Sequence, residues 1–529
     1  MNIVEISSEC SGLAQRGGLG SVIWGLIDAF SGMGHSVKLI IPYYAEIQYG
    51  VRMYTALEIF FGGEKIPVSV FTTKHGGADV YLIHSDRFFR GAYADVYIDS
   101  GKLGRGYFED DAQRFAFFSL AAAHLLLHLH QQNKIDVLHA HDWHSGLVLL
   151  LTRIHPIFEK LQSVREIFTI HNLEYQGTRP LYAMGELRAF FDWYTDLAYM
   201  GEKILDPYLD PHADIACINP MRAAINTATV VTTVSPSYAE EICRPDNSVA
   251  DFYGGRGLEK DLASLRSEDR LCGITNGIDQ TFYTPEKLSI PYSATNFIKG
   301  RKENRAALFD DFSRIIEGML KTQSLLNRCE KALIEKYQKI TRNEFLSKPL
   351  FVAVTRLTGQ KIRQFFEVVH TKTVLEHCAH LNAHFIFLGK GDLLQTLQEQ
   401  TQSAHNIFLF GGFDDALEMR LYASADAMLM PSEFEPCGTS QMKAMRYGSL
   451  PIAAAVGGLK DTIQNGDNGF LYDGASRHEK ATEFLTTIRY VAELTHKNAP
   501  LFHEMQRTAM ATDFSWTSAA AEYMRVMVG

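Results

Sequence analysis

The chain has 529 residues, of which 46% are hydrophobic and 21% charged, and its formal net charge is −10. That balance excludes a disordered chain, and the acidic excess excludes a broad basic footprint for nucleic acid. At roughly 150 residues per domain, the length predicts two to four domains.

The amino terminus, MNIVEISSEC, lacks a positively charged start, and Glu5 stands where a signal peptide is apolar. Asn2 to Ser7 predicts a short strand. The loop Gln15-Arg16-Gly17-Gly18-Leu19-Gly20 follows, and Val22, Ile23, Leu26, Ile27 and Phe30 then share one helical face. Gly32 and Gly34 stop that helix, and Val37 to Ile41 predicts a strand buried on both faces. Strand, helix and strand in this order describe a βαβ unit. The most lipid-like stretch, Phe115 to Leu129, is interrupted by His124 and His128. It falls short of the roughly 18 apolar residues of a membrane span and predicts a buried helix instead.

The alternation continues. Ile135 to Ala140, Glu166 to Ile170 and Thr229 to Val234 predict strands ending in polar loops. Leu350 to Val354, Phe385 to Leu388, Ile407 to Phe410, Ala427 to Met430 and Leu450 to Ala454 repeat the pattern. Two such series predict an α/β protein with two doubly wound domains facing each other across a cleft. Pro245 and the cluster Gly254, Gly255 and Gly257 place the boundary between about Arg244 and Asp279. Residues 300–345 are polar and helix-prone. The seven cysteines are scattered and form no CxxC pair, which favours reduced thiols in a cytoplasmic compartment.

Several segments carry residue types suited to chemistry. The glycine loop joins a strand to a helix, so its N–H groups can receive an anion. It is not the dinucleotide fingerprint. His139-Ala140-His141-Asp142-Trp143-His144 has the residue types of a metal site. His139 and His141 end a strand whereas His144 opens a helix, so the side chains need not converge, and no metal is expected. Asp142, His171 and Asn172 stand at strand ends, where open α/β sheets bind polar ligands. Arg356 and Lys361 follow a strand and suit a diphosphate, one as a fork and the other as a point charge. Glu435, Cys437, Gly438 and Thr439 mark a Pro-Cys-Gly turn before a further helix, an anion-receptive start with Glu435 aimed inward. The plainer reading of Cys437 itself is a buried structural thiol.

In order and spacing, Ser8-Glu9-Cys10, Gly17-Gly18-Leu19, the His139 to His144 segment, Ile170-His171-Asn172-Leu173, Thr233-Val234-Ser235-Pro236, Asn276-Gly277-Ile278-Asp279, Thr355-Arg356-Leu357-Thr358, Phe434-Glu435-Pro436-Cys437-Gly438 and Gly457-Gly458-Leu459 resemble bacterial glycogen synthase and plant starch synthase. The resemblance runs from residue 2 to about Trp516. It implies a retaining GT-B glucosyltransferase of two Rossmann-like domains, moving glucose from ADP-glucose to the non-reducing end of an α-1,4-glucan without metal or cofactor. Residues 1–243 are then the acceptor-side domain and 244–512 the nucleotide-sugar domain, with a helix over 513–529 crossing back to the first. The resemblance implies that His171 contacts the donor sugar, that Arg356 and Lys361 hold the diphosphate, and that Glu435 meets the donor glucose. Asp142 and Asn276 resemble its sugar-side polar residues. Gln15, Arg16, Gly17, Gly18, Asn172, Cys437, Gly438 and Thr439 complete the implied donor-binding set.

The departures fall around the phosphates. The family's loop lysine is Gln15, and its following aspartate is Ser21. Glu433 stands where a basic residue is common, and residues 300–345 exceed the usual connector. One charge-assisted bond is worth about 1.5–3 kcal/mol, so weaker donor binding follows unless Arg16 fills the vacancy. Two other readings remain open, a related transferase with another donor and a weakly active glucan-binding scaffold.

Overall fold

The computed structural model describes residues 1–48, 50–98, 109–183, 188–322 and 327–529. The chain divides into two compact units. The first comprises Met1–Asp246, Gly254–Gly277 and Trp516–Gly529, and the second comprises Asn247–Tyr253 and Ile278–Ser515.

The strands of the first unit are β1 (Asn2–Ile6), β2 (Ser36–Pro42), β3 (Arg52–Phe61), β4 (Glu64–His75), β5 (Ala78–His84), β6 (Val137–His141), β7 (Arg165–Ile170), β8 (Arg179–Pro180), β9 (Cys217–Ile218), β10 (Val230–Thr233) and β11 (Leu271–Gly273). β8 and β9 form a small antiparallel ribbon. The rest form one sheet in the order β11-β10-β7-β6-β1-β2-β5-β4-β3. From β11 to β5 it is parallel, and β1 and β6 are buried throughout, although they carry Glu5, His139 and His141.

The antiparallel extension β5-β4-β3 is an addition to the expected pattern. Two-residue turns at Gly62-Gly63 and Gly76-Gly77 connect it, all four glycines at positive φ. That conformation matches the twist of a tight hairpin and is open to glycine at little cost.

The apolar stretch Phe115 to Leu129 lies inside the buried helix Glu109–Gln132. Among the described residues no helix is long and apolar enough to cross a membrane. The helix Trp516–Val528 belongs to the first unit. Its Trp516 lies against Gly25 of the helix Gly18–Gly32, where an added Cβ would come within 2.0 Å of the indole. Ala519, Ala520, Tyr523 and Met527 bury its inner face.

Glu166, on β7, is buried and accepts a hydrogen bond from Thr152 Oγ1 at 2.7 Å. Burial pushes its carboxyl up to about 7, against the pull of that bond and of Arg153. With the folded pKa above the ordinary value, this group's contribution to stability is full below about pH 4 and is lost as pH rises through about 7. Glu166→Gln keeps an acceptor for Thr152 and removes the charge. It is expected to be more stable than the parent at about pH 8, by about 2 kcal/mol, with the difference closing by about pH 5. Denaturant unfolding at the two pH values checks this.

The second unit contains β12 (Leu350–Val354), the ribbon of β13 (Val368–Val369) and β14 (Lys372–Thr373), β15 (His384–Leu388), β16 (Ile407–Phe410), β17 (Ala427–Met430), β18 (Leu450–Ala454) and β19 (Phe470–Tyr472). Its parallel sheet runs β16-β15-β12-β17-β18-β19. The first strand is thus central and the order reverses beside it, the Rossmann arrangement. The polar segment before β12 is helical at Phe297–Asp310, Phe312–Lys321, Asn327–Tyr337 and Arg342–Ser347, while residues 323–326 lie outside the described residues. Arg305 ties this segment to the sheet through Asp426 at 2.9 Å.

The division after residue 243 is corrected. Gly254–Gly277 belongs with the first unit, because β11 adds to β10 as a parallel edge strand. The last link back to the first unit begins at Trp516.

Candidate active site

In the first unit the strand order reverses at β1 and β6, with β2 on one side of β1 and β6 on the other. Loops leaving such a pair diverge and open a crevice at the carboxyl ends. Asp142 begins the segment after β6 with φ 53°, a left-handed conformation that short polar side chains tolerate. Its Oδ1 accepts from the backbone N–H of His171 at 2.8 Å and of Asn172 at 3.4 Å. Burial pushes the Asp142 carboxyl up to about 7, although those two bonds pull it down. Asp142 thus holds the main chain of the loop after β7. Asn172 spends its side-chain oxygen on the N–H of Glu174 at 2.9 Å, in a local turn. Asn276 is buried, and its Oδ1 has no hydrogen-bond partner among the described residues.

The three histidines do not form one cluster, as expected from the place of His144 on the following helix, but the two on the strand come together. Residues two apart on a strand share a face, so His139 and His141 do converge. The register sets Glu5 of β1 beside His139 of β6. Glu5, His139 and His141 bring ligand-type atoms within 4.8 Å of one another, a grouping that by residue type can hold an ion. Here each ring is hydrogen-bonded at both nitrogens. His139 meets Glu5 at 3.0 Å through Nδ1 and Thr169 Oγ1 at 2.6 Å through Nε2. His141 meets Glu5 Oε2 at 2.7 Å through Nε2 and His171 Nε2 at 3.0 Å through Nδ1. His144 stands apart, packed between the rings of Phe115, Trp143 and Tyr97. Burial holds its imidazole down to about 3.

The glycine loop does receive an anion, and in this structure the anion is a side chain of the protein itself. The backbone N–H groups of Arg16 and Gly17 are occupied by the chain's own Glu9, which accepts from them at 2.7 and 2.8 Å. Tyr97 donates to the other Glu9 oxygen at 2.6 Å. The helix begins at Gly18 with Gly17 as its cap residue. Gln15 folds back onto its own loop, its amide donating to Gly17 O at 2.8 Å and to Ser21 Oγ at 2.9 Å. The two departures from the family pattern, Gln15 and Ser21, are therefore partners of each other. Arg16 is held by Glu46 at 3.0 Å and by Asp95 at 3.8 Å, so its charge is already balanced.

In the second unit the order reverses between β12 and β17. Arg356 and Lys361 follow the first strand and Glu433 to Thr439 follow the second, so strand order joins segments far apart in sequence. Lys361 Nζ forms an ion pair with Glu435 Oε2, both side chains largely buried, and Ser432 Oγ donates to the same oxygen at 3.1 Å. Arg356 is exposed and donates to Gln360 Oε1 at 3.2 Å. Cys437 is buried, and Gly438 takes φ 72°. Gln441 locks this turn by donating to Cys437 O at 3.1 Å and Gly438 O at 2.9 Å. Thr439 precedes the helix Ser440–Arg446 but makes no side-chain cap.

Glu433 is not an unbalanced negative charge. Arg363 meets it at 3.0 Å, Arg477 at 3.8 Å, and Tyr253 donates to it at 2.9 Å. Sequence reasoning missed Gly389-Lys390-Gly391, which braces the Arg356 loop: Lys390 O accepts from Leu357 N–H at 2.8 Å. The two-glycine turn just after a strand was the available signal. Glu9 stood inside a noted motif, but its occupation of the loop amides had no signal of its own.

Comparison with known proteins agrees with this architecture. The starch synthase catalytic domain family matches residues 2–264, and the glycosyl transferases group 1 family matches residues 338–490. The chain is 32% identical to the glycogen synthase of Exiguobacterium sibiricum, over 99% of this chain and 98% of that protein. It is 29% identical to a glycogen synthase of Bacillus cereus over the same shares. Among solved structures it resembles the catalytic domain of Starch Synthase IV from Arabidopsis thaliana bound to ADP and acarbose. That match has a TM-score of 0.76 and 28% identity and covers 100% of this chain and 98% of that one. By full-length similarity and by its two Rossmann-like units, the chain belongs to the glycogen and starch synthase family of GT-B glycosyltransferases.

Proposed function

We propose that the protein transfers glucose from ADP-glucose to the non-reducing end of an α-1,4-glucan, with retention of configuration. The observation that carries this reading is the grouping of Arg356, Lys361 and Glu435 beyond the carboxyl ends of neighbouring strands β12 and β17. In the Rossmann arrangement that is where a nucleotide diphosphate is held. Arg356 and Lys361 then meet the diphosphate and stabilise the charge that grows on it as the glycosidic bond breaks. Glu435 neutralises Lys361 before the donor arrives, and the diphosphate takes over that role. Once displaced, Glu435 is an acceptor for a hydroxyl of the donor glucose. His171 contacts the donor sugar, with its backbone held by Asp142. In a retaining transfer the leaving phosphate takes the acceptor's proton on the same face, so no protein base is needed there.

A panel of nucleotide sugars with glycogen as acceptor tests the reading. ADP-glucose is expected to be the preferred donor, and the transferred residue is expected to be α-linked. Activity is expected to persist in EDTA, since no step uses a metal. Incorporation from another nucleotide sugar alone, or from none, would overturn the donor assignment. Loss of activity in EDTA with rescue by one added metal would overturn the metal-free reading, with Glu5, His139 and His141 as the grouping to test first.

A further inference from the structure

Glu5 is a charged residue in the middle of a buried strand, and it is fully enclosed. An unpaired carboxylate there costs several kcal/mol, so its partners must offset the burial. They do so through two histidines. Burial alone would raise the Glu5 carboxyl, but the electrostatic pull of His139 and the hydrogen bonds of His139 and His141 hold it well below the usual carboxylate range.

An ionised carboxylate only accepts hydrogen bonds. His139 Nδ1 and His141 Nε2 must therefore both carry protons. Burial and the neighbouring His139 hold His141 down to about 4, so its ring is neutral. A neutral imidazole with its proton on Nε2 has a lone pair on Nδ1. That Nδ1 lies 3.0 Å from His171 Nε2. His171 must then be the donor in this contact, with its proton on Nε2. Burial and the adjacent His141 and His139 keep His171 well below the ordinary histidine range, so it too is neutral. Its Nδ1 is left as a lone pair, on a residue that remains partly exposed. Thr169 and Thr232 continue the other arm of the network beyond His139, under the ring of Tyr523.

We propose that Glu5 is a positioning residue for His171: acting through His141, its buried carboxylate fixes the His171 proton on Nε2 and presents Nδ1 as an acceptor for a sugar hydroxyl. The inference rests on the reading of His171 as a donor-sugar contact. His171 is then held at two levels, by Asp142 through the main chain and by Glu5 through the ring. Glu5 itself touches no substrate.

Nitrogen spectra of protein carrying isotope-labelled histidine report ring tautomers directly and need no activity. In the parent protein, His141 and His171 are expected to be neutral with the proton on Nε2. Glu5→Leu removes the acceptor. His141 then moves its proton to Nδ1 and donates to His171 Nε2, which reverses the His171 tautomer. With ADP-glucose, kcat is expected to fall by about tenfold or more while donor KM stays within about twofold, the range lost when a proton is wrongly placed. Glu5→Gln keeps an acceptor oxygen and is expected to restore both the tautomer and most of kcat. A His171 proton on Nδ1 in the parent would overturn the inference. So would an unchanged tautomer in Glu5→Leu, or a stoichiometric transition metal found by elemental analysis of the purified parent. If Glu5→Leu does not fold, the parent and Glu5→Gln spectra decide. If no nucleotide sugar supports transfer, the function assigned above fails, while the tautomer spectra still decide this point.

Discussion

Lys361→Ala is expected to lower kcat/KM for ADP-glucose by at least about tenfold, equivalent to about 1.4 kcal/mol of transition-state stabilisation. Two physical effects act together. The variant removes a cation from the place where the departing diphosphate develops charge. It also strands Glu435, which sits largely buried with Ser432 as its remaining hydrogen-bond donor in that ion pair's surroundings. A carboxylate left unpaired in such a site is destabilising by about 3–5 kcal/mol when fully enclosed, and somewhat less here. Lys361→Ala/Glu435→Gln separates the effects. It is expected to recover thermal stability relative to Lys361→Ala but not kcat/KM. Steady-state kinetics and thermal unfolding of the three proteins check this. An active parent whose kinetics ignored Lys361→Ala would remove the cation from the mechanism.

Gly25→Ala is expected to destabilise the first unit by about 3 kcal/mol, at the upper end of what an overpacked core contact costs. The new methyl would fall within 2.3 Å of three atoms of the Trp516 ring. A rigid indole at the start of a helix cannot yield by rotating one bond, so the helix Trp516–Val528 must shift. Its buried Tyr523 covers the ring of His139, so the disturbance reaches the Glu5 network. Trp516→Ala makes room for the methyl. The double variant Gly25→Ala/Trp516→Ala is therefore expected to be less destabilised than the sum of the single changes, a coupling of about 1–2 kcal/mol. Amide exchange across residues 516–528 should rise in Gly25→Ala and be unaltered by a surface control. Additive single effects would show that the close approach is not what holds this helix.

The sequence was most legible where burial is two-sided. β12, β16, β17 and β18 are central or well-covered parallel strands, and each reads as an uninterrupted apolar run. β3 was illegible because its exposure alternates irregularly around a register shift between Met53 and Thr55. The Gly62-Gly63 and Gly76-Gly77 turns were nonetheless a readable hairpin signal. Side-chain partners were least accessible. Nothing in spacing joins Glu5 to His139, 134 residues away, until the β1–β6 register is known. The same holds for Lys361 and Glu435, joined by the pairing of β12 with β17. Gln15 was read as a neutral replacement for the family's lysine in the donor-binding set, and a loop viewed alone shows no Ser21 facing it. One helical turn supplies that partner.

The discontinuity of the first unit has a consequence for biosynthesis. Its sheet is complete once β11 has been made, but Trp516–Gly529 emerges from the ribosome only after the whole of Ile278–Ser515. Domains that fold as they emerge bury their apolar surface in order of synthesis. Here the face of the helix Gly18–Gly32 at Gly25, and the His139 ring beside Tyr523, lack the helix Trp516–Val528 through translation of more than two hundred intervening residues. The nascent first unit therefore waits in an incompletely covered state, and a stalled chain lacking residues 516–529 would present the surface at Gly25 to chaperones and proteases.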